Sequence, residues 1–279
     1  MMVPRMDRRI LSAALLVCLC VGASPRAQAD PHALLDRILD VYVRDGFVYY
    51  AALKTERANL DRYIATLDDA QAWLGQANDA DRRAFWINAY NALVLRTVIN
   101  AYPIRGRAEA YPANSIGQIP GAFAGVKHRV AGQVLTLDEI EKTVIGGFGD
   151  TRLLLALGRG TSGSPRLRSE VYRGSRLNAQ LDEAVQEFVV REAAFRIDRL
   201  SNQVTVSPLF SWREDFFVAG FAGAGQMWAN RSPLERAVVA MSYPLLFPSE
   251  REFLALNTFQ MKFGEYDWSL NDLTGRGGE

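Results

Sequence analysis

Hydrophobic residues recur at spacings of three and four over much of the chain, a period that predicts amphipathic helices. The pattern runs from His32 to about Gly46 and through "NLDRYIATLDDAQAWL" and "LNAQLDEAVQEFVVREA". A longer helix is expected in "DRRAFWINAYNALVLRTVINAYP", beginning near Asp79 and ending before Pro103. Shorter helices fit "SPLERAVVAMS" and "SEREFLAL". These segments predict a mostly helical chain.

Strand-like segments separated by turn residues predict two β-hairpins. "HRVAGQVLTL" turns at Ala131–Gly132 and leads into "TLDEIEKTVI", a short helix that Thr136 or Asp138 would cap. "FRIDRLSNQVTVSP" turns at Leu200–Asn202, and "TFQMKFGEYDW" is expected to form a closing strand.

No internal repeat and no interdomain linker interrupts these elements. We therefore expect one α+β domain over residues 30–272, predominantly helical with small β-hairpins. Residues 273–279, which end in "TGRGGE", are expected to form a disordered tail.

The first 29 residues have the pattern of a signal peptide. A basic start, "RMDRR", precedes a 14-residue apolar run, "ILSAALLVCLCVGA", and then "AQA" stands before Asp30. This order predicts cleavage after Ala29 and a periplasmic or secreted protein. The apolar run is shorter than the about 20 residues that span a bilayer. An uncleaved N-terminal anchor is the alternative, and no other segment is long enough to cross a membrane.

Cleavage would remove both cysteines, Cys18 and Cys20, and with them every thiol and every disulfide. Because only His32 and His128 remain as imidazoles, we expect no metal site and no cofactor. Residues 30–279 carry 28 basic and 30 acidic side chains, a formal charge of −2. A nucleic-acid-binding protein needs a basic surface, so this partner class is not expected.

The stretch "LLLALGRGTSGSPRLR" passes abruptly from an apolar run into a loop rich in glycine and serine. Its segment Gly158–Gly163 matches the dinucleotide-binding fingerprint, which requires a helix directly after it. Here Ser164, Pro165 and the charged "RLRSE" follow, and no strand–helix alternation surrounds them. A dinucleotide site is therefore not expected.

Two other chemistries fit this loop. Ser162 or Ser164 would act as a nucleophile if a base such as Lys142 lay within hydrogen-bonding distance. Arg159 and Arg166, with Arg168, would bind an anion, because guanidinium groups match carboxylate and phosphate geometry. Simple solvation of these arginines is the alternative to anion binding.

The segment "FWINAYNAL" places two amides, Asn88 and Asn91, on a helix that is apolar nearly all round. Such a helix is buried, and buried amides must form hydrogen bonds. The two asparagines therefore either hold neighbouring loops or face a pocket, and the first is the commoner reason.

Several motifs in order resemble the bacterial domain-of-unknown-function 547 family. They are "FWINAYNALVLRTVI", "LTLDEIEK", "SPRLRSEVYRGSRLNAQLDEAVQEFV", "SWREDF" and "YDWSLND". The resemblance extends from about Gly46 to Asp272, and it implies no established reaction.

The resemblance also implies several replacements at reactive positions. The family pattern H-F-A-L-x-C-x-x-x-S-C-P-x-L places Leu154 at its histidine, Arg159 at its first cysteine and Ser164 at its second. Gly163 takes the place of the serine, and Lys142 that of the histidine in D-I-E-H. A cysteine–histidine pair works because the imidazole favours the thiolate. A member without that pair is expected to lack such chemistry.

We therefore predict an exported binding or scaffold pseudoenzyme, whose partner is a small molecule or a protein. Its binding residues are expected among Asn88, Asn91, Arg159 and Arg166.

One alternative is a hydrolase that uses Ser164, or Ser162, with Lys142 or a carboxylate of Glu214 or Asp215 as the base. Another is a calcium module formed by three further side chains, although their spacing differs from that of an EF-hand. These are Asp267, Asn271 and Asp272.

Overall fold

The structure is a computed structural model that describes residues 30–273. The signal peptide expected at residues 1–29 lies outside the described residues. So does the tail expected at 273–279, apart from Leu273, whose backbone N–H donates to the Val48 carbonyl at 3.0 Å.

Helices form most of the described part of the chain. They are α1 Ala33–Tyr42, α2 Tyr50–Thr55, α3 Ala58–Asp68, α4 Gln71–Gln76, α5 Asp79–Ala101, α6 Leu137–Glu139, α7 Leu177–Val189, α8 Leu209–Trp212, α9 Glu214–Gly220, α10 Pro233–Ser242 and α11 Pro248–Ala255. A π-helical segment, Ile140–Ile145, continues α6, and a 3₁₀ helix spans Thr151–Ala156.

Three small sheets accompany these helices within residues 30–273. The strands are β1 Val43–Arg44, β2 Phe47–Val48, β3 His128–Val130, β4 Gln133–Leu135, β5 Phe195–Asp198, β6 Gln203–Val206 and β7 Gln260–Phe263. β1 with β2, β3 with β4, and β5 with β6 pair antiparallel, whereas β7 pairs parallel with β6. The expected fold class, a predominantly helical α+β domain, is confirmed.

Helix α5 lies at the centre of the core. It begins after Asn78, whose side chain accepts a hydrogen bond from the Asp81 N–H at 2.9 Å, and it ends before Pro103 as predicted. Its residues from Ala84 to Ile99 are almost all buried, and it packs against α2, α3 and the π-helical segment. Burial on all sides follows from its nearly continuous apolar sequence.

Two helices are shorter than their periodicity predicts. The helix expected from His32 to Gly46 ends at Tyr42, because Asp45 and Gly46 adopt φ values of 50° and 82° in the turn between β1 and β2. The next helix divides into α3 and α4. The last carbonyls of α3 accept hydrogen bonds from the Ala131–Gly132 turn, which ends the helix there.

The predicted hairpins are present. Ala131 and Gly132 both have positive φ, 52° and 72°, which fits the twist of a tight hairpin. Thr136 caps the helix that follows, in a capping box with Glu139, whereas Asp138 forms an ion pair with Lys142. The second hairpin turns through the predicted residues, and β7 forms within the predicted closing strand, but its parallel pairing with β6 does not follow from the sequence pattern.

Candidate functional site

The two buried asparagines of α5 hold loops in place. Asn88 donates to the Tyr172 carbonyl at 2.8 Å and accepts from the Tyr172 N–H at 2.9 Å. Asn91 donates to the Ala156 carbonyl at 3.1 Å and accepts from the Gly158 N–H at 2.9 Å. Each side-chain amide therefore takes the place of a backbone partner for the carbonyl and N–H groups that it binds. Asn91 fixes the chain before the glycine-rich loop, and Asn88 fixes the chain after it.

A buried ionic network lies next to that loop. Glu141, on the π-helical segment, accepts a hydrogen bond from the Arg159 guanidinium and forms an ion pair with Arg213 at 2.7 Å. The Tyr90 hydroxyl donates to the same carboxylate at 3.1 Å. Glu141 is 4% exposed and Arg159 is 7% exposed, so water hardly screens these charges.

The protonation state of this network follows from burial and charge. Burial lowers the pKa of the Arg159 guanidinium, but Tyr90 and Glu141 raise it above its ordinary value, so Arg159 stays charged. Burial raises the pKa of Tyr90 well above its ordinary value, so its hydroxyl remains a hydrogen-bond donor. Arg159 also lies over the ring of Phe123 at 4.6 Å and that of Trp212 at 5.7 Å. These contacts leave the guanidinium held on several sides.

A cleft of about 430 Å³ opens beside the network. We call it the Trp212 cleft. Its lining includes Lys142, Leu154, Ser211, Trp212, Arg213, Glu214, Asp215 and Phe216. A small cavity shares Glu141, Leu154, Trp212 and Arg213 with the cleft and reaches Arg159. Three positions at which the resemblance implies replacements, Lys142, Leu154 and Arg159, thus border the cleft or the small cavity beside it.

The other two positions at which the resemblance implies replacements, Gly163 and Ser164, lie elsewhere. They line a separate cleft of about 250 Å³ with Ser162, Arg166, Arg191 and Asp267, which we call the serine-loop cleft. The Ser164 hydroxyl donates to two backbone carbonyls, those of Thr161 at 2.8 Å and Pro165 at 3.1 Å.

Arg191 holds the same loop from the other side. Its guanidinium donates to the carbonyls of Ser164 at 2.7 Å and Ser162 at 2.6 Å. The loop is therefore tied down through its backbone.

The structure does not bring the proposed nucleophile and base together. Lys142 lines the Trp212 cleft and pairs with Asp138 at 3.0 Å, whereas Ser162 and Ser164 line the serine-loop cleft. Neither His32 nor His128 lines either cleft. Within the described residues, no imidazole, amine or carboxylate contacts the Ser164 hydroxyl.

The loop arginines do not converge on one anion site. Arg159 points into the ionic network, whereas Arg166 pairs with Glu187 at 3.0 Å. Arg168 pairs with Glu170 at 2.7 Å and with Glu183 at 2.8 Å. The three arginines that the sequence grouped as one anion site thus belong to three separate groups of ion pairs.

The residues of the calcium alternative serve other contacts. Asn271 donates to the Gly46 carbonyl at 2.7 Å and accepts from the Tyr50 hydroxyl at 2.8 Å. Asp272 accepts from the Tyr102 hydroxyl at 2.7 Å, and Asp267 accepts from the Ser269 N–H at 2.9 Å. Across residues 30–273, no group of three or more His, Cys, Asp or Glu side chains is arranged to hold a metal ion.

Sequence reasoning missed Trp212, Arg213 and Ser211 as cleft residues and Glu141 as the centre of the network. The motif "SWREDF" contains the first three, and only its two acidic residues were considered as functional. The sequence does not show whether Arg213 is exposed or buried. Only the tertiary structure identifies Glu141 as its partner.

No helix in the described part of the chain is both long and apolar enough to span a lipid bilayer. Neither the curated proteins nor the solved structures yield a match to this chain. A family model described as "Protein of unknown function, DUF547" matches residues 74–189. That range includes α5, the π-helical segment and the glycine-rich loop, but neither Trp212 nor Arg213. The resemblance drawn from motifs between Gly46 and Asp272 is thus confirmed over residues 74–189, where the chain is similar to the DUF547 family.

Proposed function

We propose that this protein is an exported, non-catalytic binding protein, a pseudoenzyme similar to the DUF547 family, and that its ligand occupies the Trp212 cleft. The observation that carries the proposal is that Lys142, Leu154 and Arg159 line the Trp212 cleft or the small cavity that shares four lining residues with it. By the resemblance, these are positions of imidazole and thiol groups in the family.

The side chains now at those positions do not supply such chemistry. Leu154 has no ionisable group, and the Arg159 guanidinium is a charged donor that is held by Glu141. A guanidinium that stays protonated neither attacks a substrate nor accepts a proton. Lys142 pairs with Asp138 and lies in a different cleft from Ser162 and Ser164.

The same space nevertheless keeps the properties of a binding site. Its volume lies within the range of about 300–1,000 Å³ that is typical of ligand pockets. Trp212 and Phe216 supply apolar walls, and Arg213 is oriented by the buried Glu141. A rigid wall of this kind lowers the entropy cost of binding.

Intact-mass spectrometry of the protein recovered from the exported fraction tests the proposal. The sample is incubated with iodoacetamide and, separately, with a fluorophosphonate. We expect the mass of residues 30–279, unchanged by either reagent, because cleavage removes both thiols and no activated serine remains. A phosphonyl adduct at Ser211, Ser164 or Ser162 would overturn the non-catalytic assignment in favour of a hydrolase. Alkylation would show that Cys18 or Cys20 is retained.

A further inference from the structure

Four partly exposed aromatic rings lie together next to the Trp212 cleft, and we call them the aromatic platform. They are Tyr111, Trp212, Tyr266 and Trp268. The rings of Trp212 and Trp268 are stacked, with an interplanar angle of 25° and a centroid distance of 5.6 Å. Tyr266 packs against both tryptophans at 4.7 and 4.8 Å, and Tyr111 against Trp268 at 5.0 Å.

Contacts with the glycine-rich loop hold Tyr266 of the platform in place. The Tyr266 hydroxyl forms a hydrogen bond of 2.7 Å with the Thr161 hydroxyl in the glycine-rich loop. Gly163 lies so close to Tyr266 and Asp267 that an added Cβ would lie 2.9 Å from the Asp267 backbone. The rings therefore come from three distant segments and are held in one arrangement without a ligand.

The charges around the platform distinguish between ligand classes. Arg159 and Arg213 share the single carboxylate of Glu141, and Lys142 pairs with Asp138, so these five groups carry a net charge of +1. Glu214 and Asp215 also line the cleft, are exposed, and form no side-chain hydrogen bond or ion pair with any other described residue. With Glu214 and Asp215 included, the charges of the seven groups sum to −1, and the groups without a partner are hydrogen-bond acceptors, which disfavours an anionic ligand.

A neutral polyhydroxylated ligand fits both features. The C–H faces of a pyranose ring are apolar and pack on aromatic rings, while its hydroxyl groups donate hydrogen bonds to carboxylates. A purely apolar ligand would remove water from Glu214 and Asp215 without compensation. A cationic ligand on Trp212 would be repelled by the Arg159 guanidinium, which lies 5.7 Å from the centroid of that ring, whereas a neutral sugar would not.

We propose that the aromatic platform and the carboxylates of Glu214 and Asp215 form a binding site for an oligosaccharide. This inference rests on the proposed function, because it names the ligand class of the Trp212 cleft. A chain of several sugar rings is favoured over a single ring, since the platform continues from Trp212 to Trp268 and Tyr111 beyond the cleft itself.

Isothermal titration calorimetry tests the site, with cellotetraose and chitotetraose as probes and spermidine as the cationic comparison. We expect saturable binding of at least one tetrasaccharide and a Kd about tenfold weaker in Trp268→Ala. The matched control is Phe247→Ala, because Phe247 is an exposed aromatic residue, 76% exposed, outside the platform. Its Kd should equal that of the unmodified protein.

A second variant keeps the test valid if Trp268→Ala does not fold. Glu214→Gln with Asp215→Asn changes only exposed side chains without structural partners, and it should weaken tetrasaccharide binding about tenfold. No saturable binding of either tetrasaccharide would overturn the inference, and salt-sensitive binding of spermidine alone would replace it with a cation site. New reducing ends in the titrated sample would support the saccharide site but contradict the non-catalytic function.

Discussion

Replacing Asn91 by alanine removes a connection on which the candidate site depends. The Asn91 side chain is buried in α5 and forms hydrogen bonds with both the Ala156 carbonyl and the Gly158 N–H. The Ala156 carbonyl and the Gly158 N–H lie on either side of Leu157, two residues before Arg159. We expect Asn91→Ala to loosen the loop that carries the Arg159 guanidinium.

The magnitude follows from the two hydrogen bonds and their buried partners. Each bond contributes about 1 kcal/mol net, and each backbone group left without a partner costs about 1–3 kcal/mol. Rearrangement of the loop recovers part of this cost, so we expect the free energy of unfolding to fall by about 3 kcal/mol. For a chain of this size, that corresponds to a Tm lower by about 6–12 °C.

Urea denaturation followed by circular dichroism measures the change. Asn100→Ala is the matched control, because Asn100 lies on the same helix, is exposed, and its side chain forms a hydrogen bond with the Arg57 side chain alone among the described residues. Its effect should stay within about 0.5 kcal/mol. If Asn91→Ala destabilised the protein no more than Asn100→Ala, the two hydrogen bonds would not hold the loop.

Two further predictions concern titratable groups. Glu141→Gln removes the charge between the buried Arg159 guanidinium and the partly buried Arg213 guanidinium and should lower the free energy of unfolding by about 3–5 kcal/mol, while Glu214→Gln, exposed in the same cleft, should change it by less than about 0.5 kcal/mol in the same urea assay. Burial and the Arg96 guanidinium lower the pKa of His128 to about 4 in the folded protein, below its value of about 6.5 in the unfolded chain. The unfolded chain therefore takes up a proton as the pH falls from about 6.5 to about 4, and stability present above pH 6.5 is lost over this window. His128→Asn should flatten that part of the stability–pH profile, and an unchanged profile would show that another group is responsible.

The features that the sequence predicts correctly are local ones. The long apolar run of α5, the cap at Thr136 and the turn at Ala131–Gly132 each depend on neighbouring residues, so periodicity and turn preference suffice. The burial of Asn88 also follows locally, from the apolar residues around it on α5.

The partners of these groups do not follow from the sequence, because they depend on distant contacts. Glu141 and Arg213 are far apart in the chain, and a glutamate in a short amphipathic segment is usually exposed. For the same reason, Arg159 fits a solvated loop as well as a buried network. The parallel pairing of β7 with β6 depends on how the intervening helices fold back.

Whether the hydrolase alternative holds also depends on contacts between distant residues, which the sequence does not show. Ser164 and Lys142 are both plausible reactive residues by type, but a nucleophile and its base must lie within hydrogen-bonding distance. Their placement in separate clefts is a property of the tertiary fold.

We propose that Leu154 and Arg159, which line one small cavity, stand where the family resemblance implies a histidine and a cysteine. The most direct measurement compares the rates at which iodoacetamide alkylates Arg159→Cys alone and Arg159→Cys combined with Leu154→His, near pH 6.5 and with folding checked by circular dichroism. An adjacent imidazole stabilises the thiolate, so the double variant should react about tenfold faster or more, with an apparent thiol pKa below the ordinary value of about 8.5. Equal rates and equal pKa values in two folded variants would contradict the account.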